Sequence, residues 1–260
     1  MILELINVTK VYKERSGKKF QAVNNINMHI LKGEWVGIVG ESGSGKSTIA
    51  KMISHLTSVT SGTMMFQGQD STSLKKKELK EYYKQVQMIF QDPLLTFSPR
   101  MKIGHYLIEP FINFKLADKK EAFKMAEELL ELVGLNKEFM GRYPHELSGG
   151  QLQRVVIARV IGLNPSLIIC DECTSALDAT TQKQILQLLM DLRKRINFSC
   201  MFITHDLSVA KAICDRIYIM RQGEIVEEVY STNLLKDAKH LYTTELLQAA
   251  TALQPLRPSI

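Results

Sequence analysis

The residues Gly40–Thr48 read GESGSGKST; they follow the apolar run Trp35–Val39 and lead into the helical pattern KSTIAKMISHL. The segment matches G-x-x-x-x-G-K-[ST], and a strand before it with a helix after it is the context that supports the match. Its glycines let backbone N–H groups turn towards phosphate oxygens, and the helix N-terminus adds partial positive charge. The sequence therefore predicts a phosphate-binding loop rather than an ordinary glycine turn.

Two side chains of this loop have separate expected roles. Lys46 is long enough to reach the β- and γ-phosphates, through a charge-assisted hydrogen bond worth roughly 1.5–3 kcal/mol. The Ser47 hydroxyl is suited to hold Mg²⁺. The predicted nucleotide-binding residues of the loop are Gly40, Ser42, Gly43, Ser44, Gly45, Lys46, Ser47 and Thr48.

Two acids end a second strand-like run, LIICDE at 167–172. Open α/β sheets bind ligands at the carboxyl ends of their strands. We expect Asp171 to act on Mg²⁺, partly through water, and Glu172 to orient or deprotonate the attacking water, which is worth about 10²–10⁴ in rate. A pair of helix-capping acids is the alternative interpretation, and the upstream phosphate loop disfavours it.

A histidine ends a third strand, FITHD at 202–206. A lone histidine is usually structural, but this strand is predicted to lie beside the carboxylate strand. We therefore expect His205 to face the γ-phosphate and to donate a hydrogen bond to it.

The segment LSGGQLQR at 147–154 starts a helix far along the chain from the phosphate loop. Ser148 is a suitable N-cap, and Gly149 and Gly150 let a ligand approach the backbone. Within one chain this helix end would have no phosphate to bind. The sequence therefore predicts two chains that are arranged head to tail and enclose two ATP molecules.

The order of elements predicts an α/β fold with a largely parallel sheet covered on both sides. The helical block inside the alternation predicts an inserted α-helical subdomain, and the family resemblance described below implies a P-loop NTPase core of the RecA-like kind with an N-terminal antiparallel β region. The predicted parts are 1–92 (first part of the core), 93–165 (helical subdomain), 166–229 (second part of the core) and 230–260 (C-terminal extension).

Composition narrows the choice of function. The net charge is +6, which allows contact with nucleic acid, anionic lipid or nucleotide, although solvated surface lysines explain it more simply. The four cysteines include a C-x-x-C pair at Cys170 and Cys173, but no second Cys/His pair accompanies it at metal-ligand spacing. No run approaches the roughly 18 apolar residues of a membrane span, so we expect any membrane role to come through partners.

Together these motifs resemble those of ABC transporter ATPases, over nearly the whole chain. Gly40–Thr48 resembles Walker A, Leu167–Glu172 resembles Walker B, and the segment Leu147, Ser148, Gly149, Gly150, Gln151 is similar to the family signature. Four further positions match the family pattern: Gln91 (Q-loop), Ser175 to Asp178 (D-loop), His205 (switch histidine) and Tyr12 (the A-loop aromatic that stacks on adenine).

The resemblance implies an ATPase that uses ATP and Mg²⁺, with Glu172, His205 and Gln91 as catalytic residues and Ser47, Gln91 and Asp171 at the metal. It implies as partners two transmembrane permease subunits, a second ATPase subunit, and indirectly an extracellular substrate-binding protein, with no nucleic acid; the narrower resemblance given next implies that the second ATPase subunit is a different chain. The implied location is peripheral, on the cytoplasmic face of the cell membrane.

A narrower resemblance involves RYPHELSGGQ, QDP followed by SPRM, and HLYTTELLQAA at 240–250. These segments look like the oligopeptide, dipeptide and nickel importer branch, although Leu241 and Cys173 stand where that branch usually has proline. Peptide, nickel or a metal chelate remain open as cargo. Two alternatives are a non-transport ABC ATPase acting on nucleic acid or ribosomes, and a cassette that binds ATP without hydrolysing it.

Overall fold

The computed structural model describes residues 1–13 and 17–252, so the end of the predicted C-terminal extension, from 253, lies outside the described residues. The described chain divides into two units, one within 1–73 and 199–260 and one at 74–198. The four-part division of the chain predicted from the sequence stays a prediction.

The elements in chain order are β1 (Leu3–Lys13), β2 (Lys19–Ile30), β3 (Trp35–Val39), α1 (Lys46–Ile53), β4 (Ser61–Phe66), β5 (Gln69–Asp70), α2 (Lys76–Gln85), β6 (Val86–Ile89), α3 (Ile103–Asn113), α4 (Lys119–Leu132), α5 (Gly149–Ile161), β7 (Leu167–Asp171), α6 (Ala179–Ile196), β8 (Ser199–Thr204), α7 (Leu207–Ile213), β9 (Arg216–Arg221), β10 (Glu224–Tyr230), α8 (Leu234–Asp237) and α9 (Leu241–Ala252).

In the first unit, β2, β1, β4 and β5 form an antiparallel sheet in that order. Leu3 pairs with both Ile30 and Phe66, and all three side chains are buried on one face. Alternate residues of a strand point to opposite faces, so this face carries the apolar side chains. The predicted N-terminal antiparallel region is confirmed.

The same unit contains a second group of strands around β3. Every residue of β3 is buried. β3 pairs in parallel with β8 and β9, and β10 runs antiparallel to β9. α7 packs on β3, where a Cβ at Gly37 would meet the Ala210 Cβ at 3.3 Å. The parallel pairing confirms the predicted α/β core and brings the carboxyl ends of three strands to one edge.

In the second unit, β6 and β7 form a parallel pair with Ile89 opposite Cys170. The helices α3, α4 and α5 pack together, and α4 buries Ala122, Ala126 and Leu130 on the face predicted from their spacing. The helical block between the strands is therefore confirmed.

Two local details differ from expectation. α1 ends at Ile53 rather than continuing to Leu56, because the Ser54 hydroxyl donates to the Ala50 carbonyl and His55 adopts a positive φ of 53°. The strand β5 has only two residues, which are too few to show the alternating pattern by which a strand is predicted from sequence. Among the described residues, no helix is both long and apolar enough to cross a bilayer.

Candidate functional site

The predicted phosphate loop joins the buried strand β3 to helix α1. Gly43 and Gly45 have φ values of +80° and +106°, a conformation that L side chains rarely adopt. A Cβ on Gly40 would lie 2.1 Å from the Met220 carbonyl oxygen, and one on Gly45 would lie 2.4 Å from the Ala22 carbonyl oxygen. The loop therefore needs glycine at these positions because neighbouring backbone lies against it.

Lys46 is only 4% exposed and lies within the loop that it follows. Its Nζ donates to the carbonyl oxygens of Gly40 (2.7 Å) and Glu41 (2.6 Å). These bonds hold the ammonium group against the loop, so a positive charge is already in place for an anionic ligand.

The rest of the loop is polar and accessible. Ser42 and Gly43 are exposed, whereas Ser47 and Thr48 are partly buried on the first turn of α1. The Ser44 hydroxyl is buried and, among the described residues, no hydrogen-bond partner is found for it. A buried hydroxyl of this kind is costly unless it is paired, and a phosphate oxygen at the loop would satisfy it.

The loop borders a small pocket that residues from distant parts of the chain complete. Glu41, Ser42 and Ser44 line it together with Arg221 and Tyr242. Arg221 is the last residue of β9, and Tyr242 lies on α9. The sequence did not identify either residue as part of the site. Tyr242 lies in the segment HLYTTELLQAA, whose resemblance to the importer branch was the one available indication.

His205 follows β8 directly and is exposed. Thr204 pairs with Val39 in the parallel sheet, so His205 and Gly40 leave their strands at the same edge. Asp206 caps α7 by accepting hydrogen bonds from the Ser208 and Val209 N–H groups. The local fold therefore places this histidine at the edge where the phosphate loop starts.

Tyr12 lies near the end of β1, opposite Phe20 on β2, and is 36% exposed. The Lys10 ammonium lies 5.0 Å from the centroid of its ring. An exposed aromatic ring suits stacking on a base, but its role with adenine stays a prediction.

The second unit carries the two acids at the end of β7. Asp171 is 8% exposed, and Ile89 of β6 pairs with the preceding Cys170. Gln91 follows β6 two residues after Ile89 and is exposed. Because β6 and β7 are parallel, Gln91, Asp171 and Glu172 belong to the same strand edge.

Glu172 has a backbone feature that the sequence did not reveal. Its φ is +49°, which is uncommon for a residue other than glycine. The Ser175 N–H and hydroxyl both donate to the Glu172 carbonyl, at 3.1 and 2.9 Å. Strained backbone of this kind concentrates at functional sites, and here a serine of the predicted D-loop stabilises it.

The C-x-x-C pair is buried beside these acids. A hydrogen bond with the Cys170 thiol, followed by burial, raises the pKa of the Cys173 thiol. A thiol that is held protonated is a poor nucleophile and a poor metal ligand. Both thiols are free and buried in the structure.

The signature-like segment starts α5 as predicted. Leu147 is buried, and Ser148 is the N-cap, with its hydroxyl accepting from the Gln151 N–H at 3.3 Å. In return, the Gln151 side chain accepts from the Ser148 N–H at 2.9 Å, which completes a capping box. Ser148 and Gly149 are exposed, so this helix end is accessible from outside the unit.

The predicted D-loop packs against this helix end within the same unit. A Cβ on Gly149 would lie 3.6 Å from Leu177 Cδ2. Asp178 caps α6 and accepts from the N–H groups of Thr180 and Thr181 and from the Thr181 hydroxyl. The Thr181 hydroxyl, ahead of the backbone bonds, lowers the pKa of Asp178, so this cap is ionised at neutral pH.

Comparison with known proteins agrees with these features. The model of the ABC transporter family matches residues 23–175. The chain is 42% identical to the oligopeptide transport ATP-binding protein AppF of Bacillus subtilis, over 95% of this chain and 78% of that protein. It is 40% identical to the oligopeptide transport ATP-binding protein OppF of Lactococcus lactis, over 98% and 82%.

A solved structure has the same fold: the ATP-binding cassette MJ0796, a dimer in a post-hydrolysis state with bound ADP and phosphate. It superposes with a TM-score of 0.80 and 34% identity, over 88% of this chain and 99% of that one. The expected P-loop NTPase fold of an ABC cassette is therefore confirmed. The chain belongs to the ABC transporter family and is one of its ATP-binding, ATP-hydrolysing subunits.

Proposed function

We propose that this chain hydrolyses ATP to drive the import of oligopeptides through a membrane permease. The observation that carries the proposal is the similarity, at about 40% identity and over nearly the whole chain, to subunits named for oligopeptide transport. Those names favour peptides over the nickel or metal-chelate cargo that the sequence left open. They also favour transport over a non-transport ATPase acting on nucleic acid or ribosomes.

The phosphate loop binds the β- and γ-phosphates of ATP. Support comes from its left-handed glycines, the buried Lys46 ammonium and the buried Ser44 hydroxyl, which has no hydrogen-bond partner within the described part of the chain. Each of these groups gains a partner when an anion enters the loop. Tyr12 stacks on the adenine.

The donor groups suit magnesium. Hydroxyl and carboxylate oxygens are the hard ligands that Mg²⁺ prefers, and Mg²⁺ usually keeps several waters and substrate phosphates in its shell. Within the described residues, no group of three or more His, Cys, Asp or Glu side chains could form a metal site alone. By the family pattern, Ser47, Asp171 and Gln91 are the residues that would hold the ion, and a bound ion would neutralise charge that develops on the phosphates.

Three side chains act on the reaction itself. Glu172 accepts a proton from the attacking water or orients it, Gln91 positions the same water, and His205 donates a hydrogen bond to the γ-phosphate. The intact Lys46, Asp171, Glu172 and His205 favour this interpretation over a cassette that binds ATP without hydrolysing it.

The α5 end acts on the nucleotide of a second cassette. Leu147, Ser148, Gly149, Gly150 and Gln151 approach the γ-phosphate held by the partner's loop, and Ser175 and Asp178 lie at the same interface. The exposure of Ser148 and Gly149 supports this arrangement. The partner is a different ATPase chain, and both bind two permease subunits on the cytoplasmic face of the membrane, while an extracellular binding protein delivers the peptide.

Affinity purification of the full chain from its native membrane tests the proposal. We expect a second cassette and two polytopic membrane proteins to co-purify, and added peptide with the external binding protein to raise ATP turnover. Co-purification of ribosomes or nucleic acid without any membrane protein would reject the transport function, although ATP hydrolysis would stand.

A further inference from the structure

The C-terminal helix α9 reaches the phosphate loop through one hydrogen bond. Tyr242 is only 2% exposed, and its hydroxyl accepts from the Glu41 backbone N–H at 3.0 Å. The guanidinium of Arg221 lies 4.8 Å from the centroid of the Tyr242 ring. All three residues line the pocket beside the loop.

Glu41 is the second residue of the loop, and both its backbone carbonyl group and its backbone N–H group are hydrogen-bonded. Its carbonyl oxygen accepts from Lys46 Nζ at 2.6 Å and from the Ser44 N–H at 3.2 Å. Its N–H is bound to Tyr242 at the same time. A shift of Glu41 would therefore move a carbonyl that positions the Lys46 ammonium.

The tyrosine is itself fixed by the sheet. Glu227 on β10 accepts from the Lys239 N–H at 2.6 Å and from the His240 N–H at 3.2 Å, directly before α9 begins. α9 also packs against α7. These contacts fix the position and the rotation of α9, and so determine where the Tyr242 hydroxyl contacts the loop.

We propose that Tyr242 is a positioning residue for the phosphate loop, so that docking of the C-terminal helix sets the affinity of this chain for ATP. The inference rests on the nucleotide-binding role proposed above for the loop. It gives the C-terminal extension a role in the ATPase cycle. Tyr242 acts through Glu41 and Lys46 and does not itself touch the phosphates.

The Tyr242→Phe variant removes the acceptor and keeps the ring. We expect full-length Tyr242→Phe to bind a fluorescent ATP analogue about two- to tenfold more weakly, as loss of one neutral hydrogen bond predicts, with kcat little changed. Tyr230→Phe is the matched control, because Tyr230 lies on β10 in the same unit and is 61% exposed. An affinity of Tyr242→Phe equal to wild type would overturn the inference, whereas failure of the wild-type chain to bind ATP would overturn the proposed function.

Hydrogen exchange provides a readout that simple packing would not change. We expect the Glu41 amide to exchange faster in Tyr242→Phe than in Tyr230→Phe, because its acceptor is missing. The Glu227→Ala variant removes the anchor before α9 and is expected to weaken ATP binding in the same direction. Unchanged exchange at Glu41 in Tyr242→Phe would also overturn the inference.

Discussion

Thr181 of α6 packs so closely against Gly150 of α5 that a Cβ on Gly150 would lie 2.5 Å from Thr181 Cγ2. The methyl group cannot rotate away freely, because the Thr181 hydroxyl donates to Asp178 Oδ2 at 2.7 Å. One threonine therefore connects the start of the signature helix to the cap of the D-loop helix.

This contact predicts the effect of Gly150→Ala. Overpacking typically costs about 1–3 kcal/mol, whereas exchanging glycine for alanine in a helix gains up to about 1 kcal/mol. We therefore expect a net loss of about 1 kcal/mol of unfolding free energy, measured by urea unfolding. Adding Thr181→Ser, which deletes the methyl group and keeps the hydroxyl, should restore stability. A Gly150→Ala chain as stable as wild type would contradict the packing explanation.

Lys46→Met should weaken ATP binding strongly while leaving the fold intact. The variant keeps the aliphatic length but loses a charged donor worth roughly 1.5–3 kcal/mol, so the Kd for ATP should rise about 10- to 150-fold. Isothermal titration with ATP measures the change. Lys51→Met, on the exposed face of α1, is the control and should bind like wild type. Equal affinities for the two variants would remove Lys46 from the phosphate site.

Ser148→Arg tests the role of the signature helix in a second cassette. The long, positively charged arginine side chain at the exposed N-cap should keep the signature helix from approaching the partner's nucleotide. ATP hydrolysis by the assembled complex should therefore fall sharply. ATP binding by the variant chain itself should be unchanged, because its own phosphate loop is untouched. Loss of that binding would contradict the head-to-tail arrangement.

Glu227 should make a measurable contribution to pH-dependent stability. Burial raises its pKa, but the Lys239 and His240 N–H groups donate to Glu227 and, together with the nearby Thr243 side chain, outweigh burial and hold the pKa below its ordinary value of 4.5. Because the folded-state pKa is lowered, the stabilisation is fully present above pH 4.5 and is lost as the pH falls through the lower folded value.

Urea unfolding of wild type and Glu227→Gln across pH 3–7 checks this sign. The wild-type chain should be the more stable near neutral pH, and the difference should shrink in acid. Other carboxylates titrate in both chains, so the difference between the two unfolding free energies reports on Glu227 alone. A difference that grows as the pH falls would show that the pKa of Glu227 is raised instead.

Local signals explain what could be predicted from the sequence. The glycine pattern with a buried strand before it defined the phosphate loop, and the Ser148–Gln151 spacing defined the start of α5. The contact between Tyr242 and Glu41 joins residues 201 positions apart, so no local pattern could reveal it. The positive φ of Glu172 likewise depends on how Ser175 closes the turn.

Glu172→Gln tests the central claim most directly, because it removes the proposed base and keeps the size of the side chain. ATP turnover and ATP binding should be measured together on the purified complex with its membrane subunits. We expect turnover to fall about 10²–10⁴-fold, with ATP still bound and the two cassettes held closed. Undiminished turnover in Glu172→Gln would contradict the assignment of Glu172 as the base and, with it, the catalytic site described for this chain.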